Sequence, residues 1–300
     1  MNMRRTLSHV TTAAALALTA LPLQADDDCW SDTALNYRWG NTFAEPFNSP
    51  PGHPDQRQDI TKNIVGLTYA NGYKYGGNFI SVELLTSDSH DPAYSDSGAT
   101  STGAQEAYAL YRHTLDIGKV MNKNLGMGPI RGYSLTAGLD WNTKNDAYAS
   151  KKQMLVFGPT LKLNVPGFLD ISALLMEESN SPAGIDHRYE YKSHPMLGAT
   201  WGIPIGQYLS FDGYANFIAS KGEDEFGGET APETDINAQL MMDISHFVHL
   251  SKKTLRMGIE YQYWKNKFGN RTTAVTDPEK GAAGPGATAS TPMIRLEYHF

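Results

Sequence analysis

The sequence predicts an all-β protein, a 12-stranded antiparallel transmembrane β-barrel of the bacterial outer membrane. Many segments of about 9–11 residues alternate apolar and polar side chains, which is the length and period of strands in such barrels. After the N-terminal leader, no apolar stretch approaches the ~18 residues that a membrane-spanning helix needs. The leader itself has the features of an export signal. Together these observations favour a barrel over a helical membrane protein.

Residues 1–25 are expected to be a secretory signal peptide. Arg4 and Arg5 provide the charged start, and an apolar run of about a dozen residues follows. We place cleavage between Ala25 and Asp26. Residues 26–300 are then one barrel domain with long extracellular loops.

Composition excludes several classes of function. The two arginines of the leader contribute to the formal charge of −7, so the rest of the chain carries about −9 and is a poor match for nucleic acid. Cys29 is the one cysteine, so no internal disulfide can form. It follows three aspartates rather than small apolar residues, so no lipid anchor is expected there.

Alternation identifies the strands. The stretches YSLTAGLDWN (133–142), DINAQLMMDI (235–244) and LRMGIEYQYW (255–264) each place an apolar row against a row of charges, amides and small residues. One such stretch also suits a soluble sandwich, but a long series with aromatic ends is typical of a barrel. The twelve predicted segments are 32–40, 60–70, 77–87, 104–113, 131–142, 152–164, 168–177, 189–201, 208–219, 233–244, 254–265 and 291–300.

The connections fall into two classes. Those after odd-numbered segments are mostly long and polar, and those after even-numbered segments are mostly short. Long loops on one side and short turns on the other are typical of outer-membrane barrels. The stretch 116–130 is the exception, since it is long for a periplasmic turn and could hold a small helix.

The chain ends with MIRLEYHF, in which Ile294, Leu296, Tyr298 and Phe300 form an apolar row. An even number of strands that starts in the periplasm also returns there. Phe300 is therefore expected in the inner aromatic girdle. Outer-membrane barrels resemble this ending, and in that class the assembly machinery reads it, so Tyr298 and Phe300 are the predicted terminal signal.

The polar rows predict which side chains face the lumen. Both signs of charge occur there, with amides and tyrosines among them, which favours a neutral polar solute with a flat apolar face over an ion of one sign. The alternative is that these charges pair across neighbouring strands and fill the lumen. The candidate solute-binding residues are Arg38, Glu83, Glu106, Tyr108, Arg112, Asp140, Lys162, Asp212, Tyr214, Asn216, Gln239, Arg256 and Glu260.

Three stretches resemble the Tsx-type family of nucleoside-specific channel-forming proteins. They are WSDTALNYRWGNTFAEPF (30–47), DITKNIVGLTYANGYKYGGNFISVELLTSD (59–88) and GAQEAYALYRHTLDIGK (103–119), together with the RLEYHF ending. The resemblance implies a monomeric twelve-stranded barrel whose narrow lumen, lined by polar and aromatic groups, admits nucleosides by passive diffusion. It also implies contact with outer-membrane lipid, lipopolysaccharide and the barrel-assembly machinery, and no cofactor.

Two other classes of function stay open. A closed barrel could have a structural or surface role through its long acidic loops, including recognition by phages or colicins. A barrel hydrolase ranks lowest, because no Ser and His stand at a spacing that requires a triad. DSHDPAYSD (88–96) lacks the spacing of a calcium loop, so no metal site is expected.

Overall fold

The computed structural model describes residues 29–272 and 284–300. The expected signal peptide and its cleavage site between Ala25 and Asp26 lie outside these residues. In these described ranges the regular structure is mainly β-strand, with one short helix, α1 (Ile117–Met121), and 3-10 turns. No helix in the described part of the chain is long and apolar enough to cross a bilayer.

Twelve long strands in the described residues form a closed barrel, as predicted. Each strand pairs antiparallel with its sequence neighbours, and the last pairs with the first, with Ala34 opposite His299 and Trp39 opposite Ile294. The strands are β1 (Trp30–Phe43), β2 (Ile60–Tyr73), β3 (Gly76–Ser87), β4 (Gln105–Asp116), β5 (Ile130–Lys144), β6 (Lys151–Leu163), β7 (Phe168–Asn180), β8 (His194–Ile205), β9 (Leu209–Ile218), β10 (Glu233–Asp243), β11 (Leu255–Lys265) and β12 (Ala289–His299).

The eighth strand is the one whose predicted position differs most. The segment 189–201 was expected, whereas β8 begins at His194. Tyr189 and Glu190 pair only with the last two residues of β7, and Lys192 then donates its backbone N–H to a loop carbonyl. Glu190 and Lys192 are consequently exposed in the loop rather than inside the lumen.

Exposure separates the two faces of the wall in the predicted way. Leu135 and Leu240 are 39% and 42% exposed, whereas Asp140 and Asn237 are 6% and 2% exposed. The outer surface is thus an apolar belt, and the inner surface is polar at these positions. Because a closed barrel also pairs the backbone of every wall strand, it can stand in hydrocarbon without unsatisfied edges. The chain is a transmembrane β-barrel of the type found in bacterial outer membranes.

The two rims of the barrel differ. One, here called the long-loop rim, carries the connections 44–59, 88–104, 145–150, 181–193 and 219–232, and the described parts of the connection 266–288. The other, the short-turn rim, carries the connections 74–75, 117–129, 164–167, 206–208 and 244–254, as well as both ends of the wall. This division mostly agrees with the one predicted from loop length, but 145–150 on the long-loop rim is shorter than 244–254 on the short-turn rim.

The exceptional connection at the short-turn rim contains α1, as the sequence suggested. The Asp116 carboxylate accepts a hydrogen bond from the Lys119 backbone N–H at 3.0 Å, which caps the start of the helix. Asn122 adopts the left-handed conformation that ends it. Nothing in the structure explains why this turn is so long.

Aromatic side chains gather at the short-turn rim. Trp30, Tyr75, Tyr208 and Phe300 are all exposed there. The Phe300 backbone N–H donates to the Thr33 carbonyl at 2.9 Å, so the terminal residue continues the pairing with β1. These rings have the position expected of an interfacial girdle.

Candidate functional site in the barrel interior

A continuous chain of alternating charges crosses one side of the inner wall. Its six links are ion pairs with N···O distances of 2.6, 3.3, 2.7, 2.7, 3.1 and 2.5 Å. We call this set the charge ladder, and its members in order are Glu83, Arg38, Glu260, Arg295, Glu297, Arg256 and Asp212.

The ladder passes over β2 without using a side chain of that strand. Gly66 lies opposite both Asn36 on β1 and Glu83 on β3. A Cβ at Gly66 would lie 2.6 Å from the Asn36 side chain, so the site is closely packed. Glycine at this position therefore leaves room for the Asn36 side chain next to the Arg38–Glu83 pair.

Amides add hydrogen bonds to the ladder. The Asn237 side-chain NH₂ donates to Glu260 Oε1 at 2.6 Å, and Gln239 donates to the Asn237 carbonyl at 3.1 Å. Four carboxylates and three guanidinium groups thus compensate one another almost completely. The wall has strong local dipoles but little net charge.

Two tyrosines point into the lumen at the ends of the charge ladder. Tyr214 lies on β9, one inward position after the ladder residue Asp212. Tyr108 lies on β4, directly opposite the ladder residue Glu83 on β3. The ladder therefore has a phenol beside each of its two ends.

The strands that follow β3, namely β4 to β6, hold a second, smaller set of charges. The Tyr108 hydroxyl donates to Asp140 Oδ2 at 2.9 Å, and Arg112 forms a bidentate pair with the same carboxylate. Lys162 pairs with Asp116 at 3.2 Å nearer the short-turn rim. These pairs also compensate each other.

All thirteen predicted lumen residues lie on the inward-facing side of their strands. The structure brings most of them to one level, around the charge ladder and the two tyrosines. Glu106 lies nearer the long-loop rim, where it accepts a hydrogen bond from Asn142 at 2.6 Å and approaches Lys62 at 3.7 Å. Lys162 lies nearer the short-turn rim. The alternation of the sequence predicts which side chains face the lumen, but not which groups they pair with.

Sequence reasoning missed an apolar layer inside the lumen, between the charge ladder and the long-loop rim. It has a part on each wall. We call the set the apolar layer, and its members are Phe43, Ile60, Ile64, Leu85 and Met293 on one wall, and Val156, Leu174, Met176, Met196 and Ile218 on the other. In segments such as SALLMEE (172–178) both rows contain apolar residues, so alternation carries little signal there.

The inward-facing side chains are more exposed to solvent on the short-turn side of the ladder. Phe79 and Thr200 point inward, since each lies opposite a lumen residue on its neighbouring strand, yet both are exposed. On the other side of the ladder, the inward side chains are buried up to the loops. The lumen is therefore open from the short-turn rim to the tyrosines and filled beyond them.

The surroundings of the described histidines bear on the barrel hydrolase that the sequence left open. His113 lies on the outer wall, where its ring nitrogens contact Asn78 at 3.0 Å and Tyr73 at 3.4 Å. In the described residues, no histidine ring is hydrogen-bonded to a serine, and the Ser245 hydroxyl donates to Asp243 rather than to His246. The outer wall thus carries a His–Asn–Tyr cluster.

No set of three or more His, Cys, Asp or Glu side chains in the described ranges is placed to hold a metal ion. The three aspartates of the 88–96 stretch do not converge. Asp88 accepts from the Thr61 backbone, while Asp91 is buried and pairs with Lys144 at 3.0 Å. Asp91 is therefore buried in an ion pair, although it belongs to a long polar loop.

No protein-family model and no curated protein matches the chain. Among solved structures, the KdgM porin has 7% identity and a TM-score of 0.41, covering 89% of this chain and 99% of that one. The translocator domain of autotransporter NalP from Neisseria meningitidis has 12% identity and a TM-score of 0.41, covering 92% and 90%. The anion-selective porin from Comamonas acidovorans has 10% identity and a TM-score of 0.32, covering 91% and 98%. At these values the likeness concerns general architecture, and we take no substrate from it.

Proposed function

We propose that the protein is an outer-membrane channel for the passive, selective diffusion of small polar solutes, with nucleosides as the expected class. The observation that carries this proposal is the charge ladder in the lumen, with Tyr108 and Tyr214 beside its two ends. A wall of one sign would select ions by charge, whereas this wall is nearly neutral. A neutral solute with many hydrogen-bonding groups suits it better.

The chemistry of the wall supports a nucleoside-like solute. A phenol ring offers a flat face on which a base can stack, and carboxylates, guanidinium groups and amides offer donors and acceptors to a sugar. Gln239 and Asn216 supply the amides near the ladder. Because these contacts follow one another along the wall, a solute can exchange one weak site for the next, as diffusion channels require.

We further propose that the long loops face the cell exterior and the lipopolysaccharide, and that the barrel acts as a monomer. Tyr298 and Phe300 would be read by the barrel-assembly machinery during insertion. Residues 1–25 would be the export signal that precedes it.

A second candidate function is a closed barrel with a structural or surface role. The filled interior on the long-loop side favours it, since a lumen without a passage would leave only the loops for function. This candidate makes no use of the tyrosines, so the two proposals separate experimentally.

Uptake into liposomes tests the channel. Purified protein is reconstituted, and entry of labelled uridine is compared with entry of labelled glucose. We expect uridine to enter several-fold faster, and Tyr108→Ala, Tyr214→Ala and Gln239→Ala to reduce this preference. Equal uptake of the two solutes would refute the selectivity, and an unchanged preference in all three variants would refute the assigned solute-facing row.

Absence of both uptake and ion conductance would favour the closed barrel. Cleavage of ester or peptide substrates by the same preparation would instead support the hydrolase that the sequence ranks lowest. The matched control variant is Leu240→Ala, which changes an outward-facing side chain at a neighbouring position. It should leave the solute preference unchanged.

A further inference from the structure

The long-loop end of the lumen is filled by side chains from the loops. Glu45 belongs to the first long loop, yet it is only 6% exposed. Its Oε1 lies 2.5 Å from Lys62 Nζ, 3.1 Å from Lys267 Nζ and 3.6 Å from Lys144 Nζ. Lys62 and Lys144 are lumen-facing residues of β2 and β5, and Lys267 belongs to the last loop. One loop carboxylate therefore joins two parts of the wall to another loop.

The second long loop takes part in the same network. The carboxylate of Asp91 is buried, and it lies 3.0 Å from Lys144 Nζ and 3.9 Å from Lys62 Nζ. The Asn48 side chain donates to the His90 carbonyl at 2.7 Å, which ties the first and second loops together. Movement of either loop would thus disturb both.

A second network closes the other half of the opening. Glu178 on β7 accepts hydrogen bonds from Lys152 on β6 at 3.0 Å and from Lys221 at 2.8 Å. Lys221 belongs to the 219–232 loop, but it is buried, and its ammonium lies 4.5 Å from the centre of the Tyr191 ring. In this network a loop cation pairs with a carboxylate of the wall, whereas in the first network the loop anion Glu45 pairs with lysines of the wall.

We call the two networks together the loop plug. All of its members are charged, and all are buried at the long-loop end of the lumen. They are Glu45, Asp91, Lys221 and Lys267 from the loops, and Lys62, Lys144, Lys152 and Glu178 from the wall.

Part of the apolar layer lies beneath the loop plug. Ile64 follows Lys62 by one inward position on β2, and Met176 precedes Glu178 by one inward position on β7. Phe43 and Ile60 instead lie at the level of the plug, since Ile60 precedes Lys62 on β2 and pairs with Phe43. An apolar section of a pore loses its water easily, and a dry section blocks ions and polar solutes. The apolar layer therefore adds to the barrier that the plug forms between the charge ladder and the outside.

We propose that the loop plug is a gate, so that the channel rests closed at the long-loop rim and opens when the loop charges leave the lysines and carboxylates of the wall. The proposal rests on the channel function proposed above, and concerns its regulation. A buried charge that loses its partner is strongly unfavourable unless it reaches water. Outward movement of the loops hydrates both partners, so opening should involve whole loops rather than single side chains.

Ion conductance through planar bilayers in potassium chloride tests the gate without reference to the solute. We compare the wild type with Glu45→Gln and Lys221→Met, which remove one loop charge from each network and leave the charge ladder intact. The wild type should be mostly closed, and each variant should raise the open fraction by roughly tenfold or more. Glu229→Gln is the control, since the Glu229 side chain belongs to a long loop but is 79% exposed, and it should conduct like the wild type.

The outcomes separate the gate from the proposed solute. A wild type that stays open, with the same open fraction as both variants, overturns the gate even if uridine passes preferentially. Increased opening of the variants without any preference for uridine supports the gate and refutes the solute class. Folding of each variant is checked by its mobility on unheated gels, and if Glu45→Gln does not fold, Lys221→Met decides the result, because Glu178 keeps Lys152 as a partner.

Discussion

Arg38 forms two buried ion pairs inside the barrel. Its guanidinium lies 2.6 Å from Glu83 and 3.3 Å from Glu260, and both Arg38 and Glu260 are almost completely buried. The side chain links β1 to β3 and β11, which are not its direct neighbours in the sheet. It therefore ties together parts of the wall that backbone pairing does not connect.

Replacement of Arg38 should destabilise the barrel strongly. Arg38→Met leaves two carboxylates in the interior with one cation fewer, and removing one partner of a buried pair costs about 3–5 kcal/mol. The free energy of unfolding in urea, followed by tryptophan fluorescence in detergent, measures this loss.

The matched control for Arg38 is Arg57→Met. Arg57 pairs with Asp59 at 2.7 Å, but this pair is in a loop and partly exposed. Exposed pairs contribute about 0–1 kcal/mol, so the control should unfold almost like the wild type. Equal losses for the two variants would contradict the role given to burial, and no loss for Arg38→Met would contradict the ladder itself.

The sequence predicts a residue's face of the wall more easily than its partners. Arg38, Asp140 and Glu260 were assigned to the lumen by alternation alone, and all three lie there. Their partners depend on register and on the direction of long side chains. Arg38 is paired in register with Ile64, although its guanidinium binds Glu83 one strand further on. Such diagonal contacts leave no periodic signal in the chain.

At the scale of elements, strand prediction succeeds where one face is apolar and the other polar. The stretch 255–264 has this clear alternation, and β11 (Leu255–Lys265) matches it closely. The eighth segment, 189–201, begins in polar residues whose alternation continues into a loop. The β8 strand instead starts at His194, where backbone pairing with β9 and β7 becomes continuous.

The apolar belt leads to a prediction about single strands. Leu240 faces outward from β10, so Leu240→Arg would place a charge against the hydrocarbon. A basic side chain on the lipid face costs about 2–4 kcal/mol at the bilayer midplane and about 0–1 kcal/mol near its surface. We expect Leu240→Arg to reduce both the folding yield in lipid vesicles and the free energy of unfolding there.

The control for this variant is Glu177→Arg, on the outer face of β7 close to the long-loop rim. Glu177 is exposed and already charged, and it accepts a hydrogen bond from Ser193. The substitution should have little effect, because the site lies near the membrane surface. If both variants folded equally well in lipid, the proposed depth of the belt would be wrong.

At the scale of the whole molecule, the sequence predicts the barrel but not its closure by loops. The twelve segments and the two classes of connection were evident from alternation and length. The inward position of Glu45 and Lys221 was not, since polar loop residues are ordinarily solvated. Only the closed wall places Lys62, Lys144 and Glu178 where they can attract these loop charges. The loop plug is therefore a property of the assembled barrel.

The loop plug should respond to acid but not to changes near neutral pH. Burial alone would raise the pKa of the Glu45 carboxyl, but the neighbouring lysines hold that pKa well below its ordinary value of 4.5. A carboxylate with a lowered pKa stabilises the closed state above about pH 4.5, and this stabilisation is lost as the pH falls through the lowered pKa. The charged groups around Glu45 are Lys62, Lys144, Lys267, Asp91, Asp146 and Glu106.

Conductance measured between about pH 8 and 3 checks this expectation. The open fraction of the wild type should stay constant down to about pH 5 and rise only below the ordinary range of a glutamate. Glu45→Gln should show a high open fraction throughout and a smaller rise in acid, because the group that titrates has been removed. A transition of the wild type near pH 6–7 would instead indicate that a histidine controls the opening, and Glu45 would then not be the residue that holds the loops in place.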